Sequence, residues 1–392
     1  MTQRSTKAVS APWAVVALDE FTTPESTQAS QWRRTWRAVA SRMVGKRDAE
    51  QQAKQEHELR MLPEIRLAHL VPSIDWSPAA EQLSRTLFQQ KLESEPVVFF
   101  ITPPHGGHAA VVSHWARQQG INEIAPPTYQ ALSDGCLEWV EHCAPFKRWA
   151  LPALERHMLR HSQGLQGVRA FLERAMSGRL GHGVIGCDSW TYAYLQHAVG
   201  VEGAPVFTLQ ALEGEQLADY FSAIADSGKN GLAVYSTRTG KPVLASSDDS
   251  ERARKAPVNK ELQRLAAHCR GHLGVAWHYW REQLREPASR HGSEDGSHEL
   301  WLLDALADAE LPAATGDVAM LVLHALLLHG GLDDQALGDV LPFSHHEALN
   351  ARLALTRQGI VARQDNRWQV APLSYASVRQ LLESRNYLVD PL

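Results

Sequence analysis

Between about Asp75 and Thr239 the chain alternates short, mostly apolar runs with helix-like segments, and this alternation constrains the fold more than any other feature. The runs are Val97–Ile101, Asn122–Ala125, Gly183–Cys187, Pro205–Leu209 and Leu232–Ser236. Between them lie Ala109–Gln119, a long helical region from Tyr129 to Met176, Trp190–His197 and Gly214–Ala225. A strand wetted on one face alternates polar and apolar residues, whereas one covered on both faces is apolar along its length. Continuous apolar strands separated by helices imply an α/β fold with a parallel sheet between two helical layers. A chain of 392 residues has room for roughly two or three such domains.

The first strand leads into Thr102-Pro103-Pro104-His105-Gly106-Gly107-His108-Ala109. An eight-residue turn between a strand and a helix is where a phosphate-binding loop belongs. Against the template G-x-x-x-x-G-K-[ST], Gly107 keeps the second glycine, while Thr102, His108 and Ala109 replace the first glycine, the lysine and the magnesium-binding hydroxyl. Gly106 and Gly107 still permit a tight turn, and the following helix still offers its dipole. The two prolines remove two N–H donors, and a free histidine is mostly neutral at pH 7. The same residues serve equally as an ordinary strand-to-helix turn without a ligand. The second feature is Val184-Ile185-Gly186-Cys187-Asp188-Ser189, an apolar strand ending in an aspartate. Asp188 stands where a magnesium-holding aspartate would, or is simply the N-cap of the next helix; Ser189 replaces the glutamate that activates water.

Residues 317–392 have a pattern of their own. Asp317–His329 is an apolar helix ending at Gly330-Gly331, Asp333–Leu341 a short helix stopped by Pro342, and Ser344 caps a third over His345–Gln358. Ile360–Arg363 and Arg367–Val370 then flank Gln364-Asp365-Asn366 as a hairpin. Helix, helix, helix, hairpin is the winged-helix order. Arg352 and Arg357 on its third helix, with Arg363 and Arg367 on the wing, are the candidates for nucleic-acid phosphates. Yet residues 317–392 hold six basic and eight acidic side chains, a balance that favours a protein partner over DNA.

Upstream of the lid-like pair Asn259–Arg285 stands a polar stretch, Ser246–Glu251, and after it another, Pro287–His298. In Arg270-Gly271-His272-Leu273-Gly274-Val275-Ala276-Trp277-His278-Tyr279-Trp280-Arg281 the chain resembles the AAA+/STAND group of P-loop ATPases, in the branch that includes origin-recognition ATPases. The resemblance rests on architecture and degraded motifs over roughly residues 75 to 392. It implies a P-loop NTPase-like core, a helical lid presenting Arg281 as a nucleotide sensor, and a C-terminal winged helix. The implied ligand is ATP or ADP with Mg2+, held by Gly106, Gly107, His108, Ala109, Asp188 and Arg281. The missing lysine, hydroxyl and glutamate argue against hydrolysis. The expected organisation is an N-terminal arm over 1–74, the degenerate core over 75–245, the lid over 246–315 and the winged helix over 316–392.

The arm carries Trp32 and Trp36 on one helix face among Arg33, Arg34, Arg37, Arg42, Lys46 and Arg47, a candidate contact for a macromolecular partner. The net charge of −5 excludes broad nonspecific nucleic-acid binding. No apolar run approaches the roughly 20 residues of a membrane span, and the first residues lack a secretory pattern. Cys136, Cys143, Cys187 and Cys269 form no C-x-x-C pair, which sets aside a zinc ribbon and fits a reduced, cytoplasmic chain. His157 with His161, and the His268, Cys269 and His272 group, lack the further ligands that a metal requires. The pattern leaves three functions open. One is a non-hydrolysing regulatory or scaffolding protein, the second a nucleotide switch read by His108, Asp188 and Arg281, and the third a DNA-binding factor using the four arginines.

Overall fold

The computed structural model describes residues 13–24, 58–143, 147–227, 232–244, 260–288, 298–303, 306 and 316–392. The basic arm expected over 26–62 lies outside them as far as residue 57, as do the polar stretch 246–251 and most of 287–298. In chain order the strands are β1 (Val15–Ala17), β2 (Leu59–Met61), β3 (Val97–Thr102), β4 (Asn122–Glu123), β5 (Arg148–Leu151) and β6 (His182–Asp188). They continue with β7 (Val206–Leu209), β8 (Leu232–Ser236), β9 (Leu284–Pro287), β10 (His298–Leu302), β11 (Val361–Gln364) and β12 (Arg367–Val370). The helices are α1 (Glu64–Leu70), α2 (Ser77–Gln89), α3 (His108–Gln119), α4 (Tyr129–Ser133), α5 (Glu138–Glu141), α6 (Gln166–Met176) and α7 (Ser189–Ala198). After them come α8 (Gly214–Ser227), α9 (Lys260–His268), α10 (Leu273–Gln283), α11 (Asp317–Leu328), α12 (Asp334–Val340), α13 (His345–Arg357) and α14 (Tyr375–Ser384).

These elements form two compact units. The larger contains Trp13–Phe21, Asp75–Gln210 and Asp308–Leu392; the smaller takes the described residues within 22–74 and 211–307. In the larger unit a six-stranded sheet runs β1-β7-β3-β6-β5-β4, with β1 antiparallel to β7 and the other neighbours parallel. The architecture is α/β with a mostly parallel central sheet, compatible with a Rossmann- or P-loop-like core. Strand β3 is buried along all six residues because it lies inside the sheet. Phe99, Phe100 and Ile101 are fully inaccessible, each stabilising the fold by about 1.5–3 kcal/mol. From β3 the chain crosses to the far edge at β4, returns through β5 to β6, and passes β3 again to reach β7. Direction reverses beside β3, so the C-terminal ends of β3 and its neighbours flank the crevice where open α/β sheets bind ligands.

Three sequence readings need correction here. The region from Tyr129 to Met176 is not one helical stretch, since β5 interrupts it: Trp149, Ala150 and Leu151 are fully buried between β4 and β6. The run Asn122–Ala125 gives a strand of only two residues. Leu232–Ser236 is a strand, but it leaves the core sheet for a separate one because its partner is the later β10.

Residues 316–392 follow the expected order of three helices and a hairpin. Asp333 caps α12 through Ala336 N (2.8 Å), and Ser344 and Glu347 form a reciprocal capping box at α13. Asp365 and Asn366 take φ of 48° and 65°, giving a two-residue turn whose twist suits the hairpin. A fourth helix, α14, follows the hairpin and was not read in advance. Helix α11 is apolar all round because α12, α13, α14, β12 and α7 of the core surround it.

The smaller unit is built on the sheet β2-β9-β10-β8, parallel between β10 and β8 and antiparallel elsewhere. The helical pair read near Arg270–Gly274 is present as α9 and α10, turning at Arg270 and Gly271 with φ of 53° and 75°. Phe221 of α8 stacks on Trp280 of α10 with ring centroids 4.3 Å apart. Among the described residues no helix is long and apolar enough to cross a membrane.

Candidate functional site

The loop after β3 turns as its glycines suggest, but what it approaches is protein. His105 and Gly107 take φ of 65° and 81°. A Cβ on Gly107 would lie 2.4 Å from the Trp76 indole, and one on Gly106 would lie 2.7 Å from the Thr102 hydroxyl. The glycines thus make room for the chain's own side chains at a place where a phosphate loop admits phosphate.

The side chains around the loop form a closed, buried relay. His108 N–H donates to Thr102 Oγ1 (3.3 Å), and His108 Nδ1 lies 3.0 Å from the same hydroxyl. His108 Nε2 then donates to Glu155 Oε1 (3.0 Å). Glu155 sits in the turn that follows β5, and its other oxygen accepts the Asp188 N–H (3.3 Å). Asp188, paired in register with Thr102, caps α7 by accepting the Trp190 N–H (2.9 Å). Thr102, His108, Glu155 and Asp188 are all buried.

Burial by itself would raise the Glu155 pKa. The charge and hydrogen bond of His108, with backbone donors, outweigh it and hold the carboxyl below its usual range. For Asp188 burial and the neighbouring Glu155 charge act together, pushing its carboxyl well above the ordinary value.

The seal is the helix–hairpin module of residues 316–392. His105 Nε2 lies 3.1 Å from the Val370 carbonyl of β12. A Cβ on Gly330 would come within 2.8 Å of Glu155 Cγ, so this position after α11 admits little beyond glycine. The first turn of α7 is bound to the module residue by residue. Ser189 Oγ donates to Asp390 Oδ2 (2.8 Å), Trp190 Nε1 to Tyr375 Oη (3.1 Å), and Thr191 Oγ1 to the Leu328 carbonyl (2.8 Å). Tyr375 Oη and Arg379 Nε also donate to Asp390, at 3.1 and 2.8 Å.

Of the residues expected to hold nucleotide, Gly106, Gly107, His108 and Asp188 do come together, and Ala109 follows on α3 without a hydroxyl to offer. Arg281 belongs to the smaller unit, where it is ion-paired to Glu64, donates to the Val71 carbonyl (3.2 Å) and lies over Trp277. Two of the four arginines expected to meet phosphates are committed inside the fold. Arg352 is buried, 3.0 Å from Asp334 and 4.1 Å above the Trp368 ring; Arg367 donates to the Gly331 and His329 carbonyls at 3.0 and 3.1 Å. Arg357 and Arg363 remain exposed. Sequence reading missed Glu155, Tyr375, Arg379 and Asp390. The signal for Glu155 was the run Trp149-Ala150-Leu151 before it, which identifies a strand only once its burial is known.

A small cavity lined by Glu93, Glu95, Trp115, Gln119, Arg148 and His182 lies at the opposite, N-terminal end of β3 and β6. Among the described residues no three His, Cys, Asp or Glu side chains converge as a metal site requires. Comparison with protein-family models gives no match, and comparison with curated protein sequences gives none either.

Proposed function

We propose that this chain is a cytoplasmic, non-hydrolysing regulatory or scaffolding protein of AAA+/STAND-like build, whose former phosphate loop serves as an internal joint. The observation that carries this reading is the buried relay Thr102–His108–Glu155–Asp188. Two donors at this helix start already have protein acceptors, His108 N–H on Thr102 Oγ1 and Gly106 N–H on the Pro103 carbonyl, and Pro103 and Pro104 have no N–H to give. The His108 side chain, which stands where the template has its lysine, is engaged with Glu155. Binding of ATP or ADP with Mg2+ is therefore weak or absent. The winged-helix-like module and the basic N-terminal arm are the surfaces through which the protein meets a macromolecular partner. Internal use of Arg352 and Arg367 favours a protein partner over DNA.

Calorimetric titration with ATP and ADP, with and without magnesium, tests the reading. The expected result is no saturable heat up to millimolar nucleotide. Micromolar binding, or ATP hydrolysis abolished by Asp188→Ala, would replace the scaffold with a nucleotide switch.

A further inference from the structure

Beside the hydrogen bonds of Ser189, Trp190 and Thr191, three histidines lie at the contact between the core and the helix–hairpin module. His329, at the end of α11, is wholly inaccessible; its Nδ1 donates to the Ala325 carbonyl (2.8 Å), and its Nε2 accepts the backbone N–H of Arg160 (3.0 Å) from the core. That arrangement needs an imidazole with one bare nitrogen, since a proton on Nε2 would set a donor against a donor. His105 donates from the core to the Val370 carbonyl of the module. His324, packed edge-on to Trp190 of the core and to Tyr387, is 3.2 Å from the Leu388 carbonyl through Nε2, and its buried Nδ1 has no hydrogen-bond partner.

We infer that the contact between core and module is an acid-sensitive joint, held docked by neutral His329, His105 and His324 and opened when these rings take up protons. This inference stands apart from the scaffold reading and survives its failure.

The charged surroundings agree with it. His329 faces Arg160 from the core, Arg367 from β12 and His324 from its own helix; His324 also faces Arg160. Burial is the main reason that His329 is lowered from 6.5 to about 3, and His324 and His105 to about 4. The undocked rings take up protons near pH 6.5, whereas the docked ones resist until about pH 4 or 3. Docking is thus at full strength above 6.5 and weakens as the pH falls towards 4. Each proton gained on opening lowers the docked-to-open ratio by up to about tenfold per pH unit in that window. Glu155 acts in the same direction at lower pH, because its carboxyl is held below 4.5 in the docked form. Asp188 opposes, since docking favours its protonated form. Arg156 and Asp333, which face Arg367, act on that arginine with opposite signs.

The experiment is amide hydrogen exchange on the full-length protein from pH 7.5 to pH 5, corrected for the intrinsic pH dependence of exchange. Protection of α11, α13 and β12 is expected to fall below pH 6.5 while β3 and β6 stay protected. The variant H105Q/H324Q/H329Q keeps amide donors and an amide acceptor at these places without a titratable ring, and should move the loss below pH 5. If the triple variant does not fold, His329→Gln alone should flatten the pH response by about one proton. Module protection at pH 5 equal to that at pH 7.5 would overturn the inference. So would a folded variant that opens at the same pH as the parent protein.

Discussion

The two units bury polar groups in different settings. Among the described residues of the smaller unit, the buried carboxylates are held by partly exposed arginines: Glu261 by Arg238 and Arg264, and Glu286 by Arg60 and Arg66. Arginine stays charged at any pH of interest, and these guanidinia keep one side in water, so the pairs are tolerant of adjustment. The larger unit links histidine, threonine, tyrosine and acids, with buried Arg379 on Asp390, in networks closed to solvent. There each group depends on its neighbour's protonation state, and a missing partner cannot be replaced by water. Identical polar chemistry is thus robust at one place and conditional at the other.

Replacing single acids should expose the contrast, with the largest effect at Asp390. Its carboxylate is fully inaccessible and receives Ser189, Tyr375 and Arg379, so Asp390→Ala removes the buried partner of all three, leaves Arg379 only Glu383 and two carbonyls, and is expected to destabilise the larger unit by about 3–5 kcal/mol. Urea unfolding followed by exchange in β3 and α11 would report it, and a loss under about 1 kcal/mol would show that water reaches the joint. In the smaller unit, Glu261→Gln keeps one acceptor oxygen for Arg238 and sets its NH2 against Arg264, whose half-exposed guanidinium turns to water, and should lower stability by about 1 kcal/mol. A loss as large as that at Asp390 would erase the distinction between the units. Smallest of all, Arg357→Ala with Arg363→Ala should change stability by no more than about 0.5 kcal/mol, both side chains being exposed. Gel-shift assays should find no salt-sensitive duplex binding for this pair to abolish; binding that disappears with them would restore the DNA reading.

Local signals were legible in the sequence, and distant pairings were not. The cap at Ser344, the hairpin about Gln364-Asp365-Asn366 and the helical join near Arg270–Gly274 each lie within a few residues, and each formed, though Gln364 belongs to β11 and Glu347 completes the cap unread. Strand β5 escaped because Trp, Ala and Leu suit a helix as well as a strand, and only pairing with β4 and β6 decides between them. Strand β8 was recognised, yet its sheet was not, since its partner begins at His298. The site divides in the same way. The loop, His108 and Asp188 announced themselves through motif spacing. Glu155 was hidden behind the unrecognised strand, and Asp390 in the tail after α14 has no local pattern to mark it.

Because residues 211–307 of the smaller unit are threaded between two parts of the larger one, chain order imposes a schedule on synthesis. Strands β3 to β7 emerge before the module and can pair, but Ser189, Trp190, Thr191 and Glu155 then face water without the groups that later cover them. The later part of the smaller unit is made before α11, Tyr375 and Asp390 arrive to close the joint. The nascent core therefore passes through an interval in which its most polar interior surface is its most exposed one, and in which a chaperone has an open edge to hold.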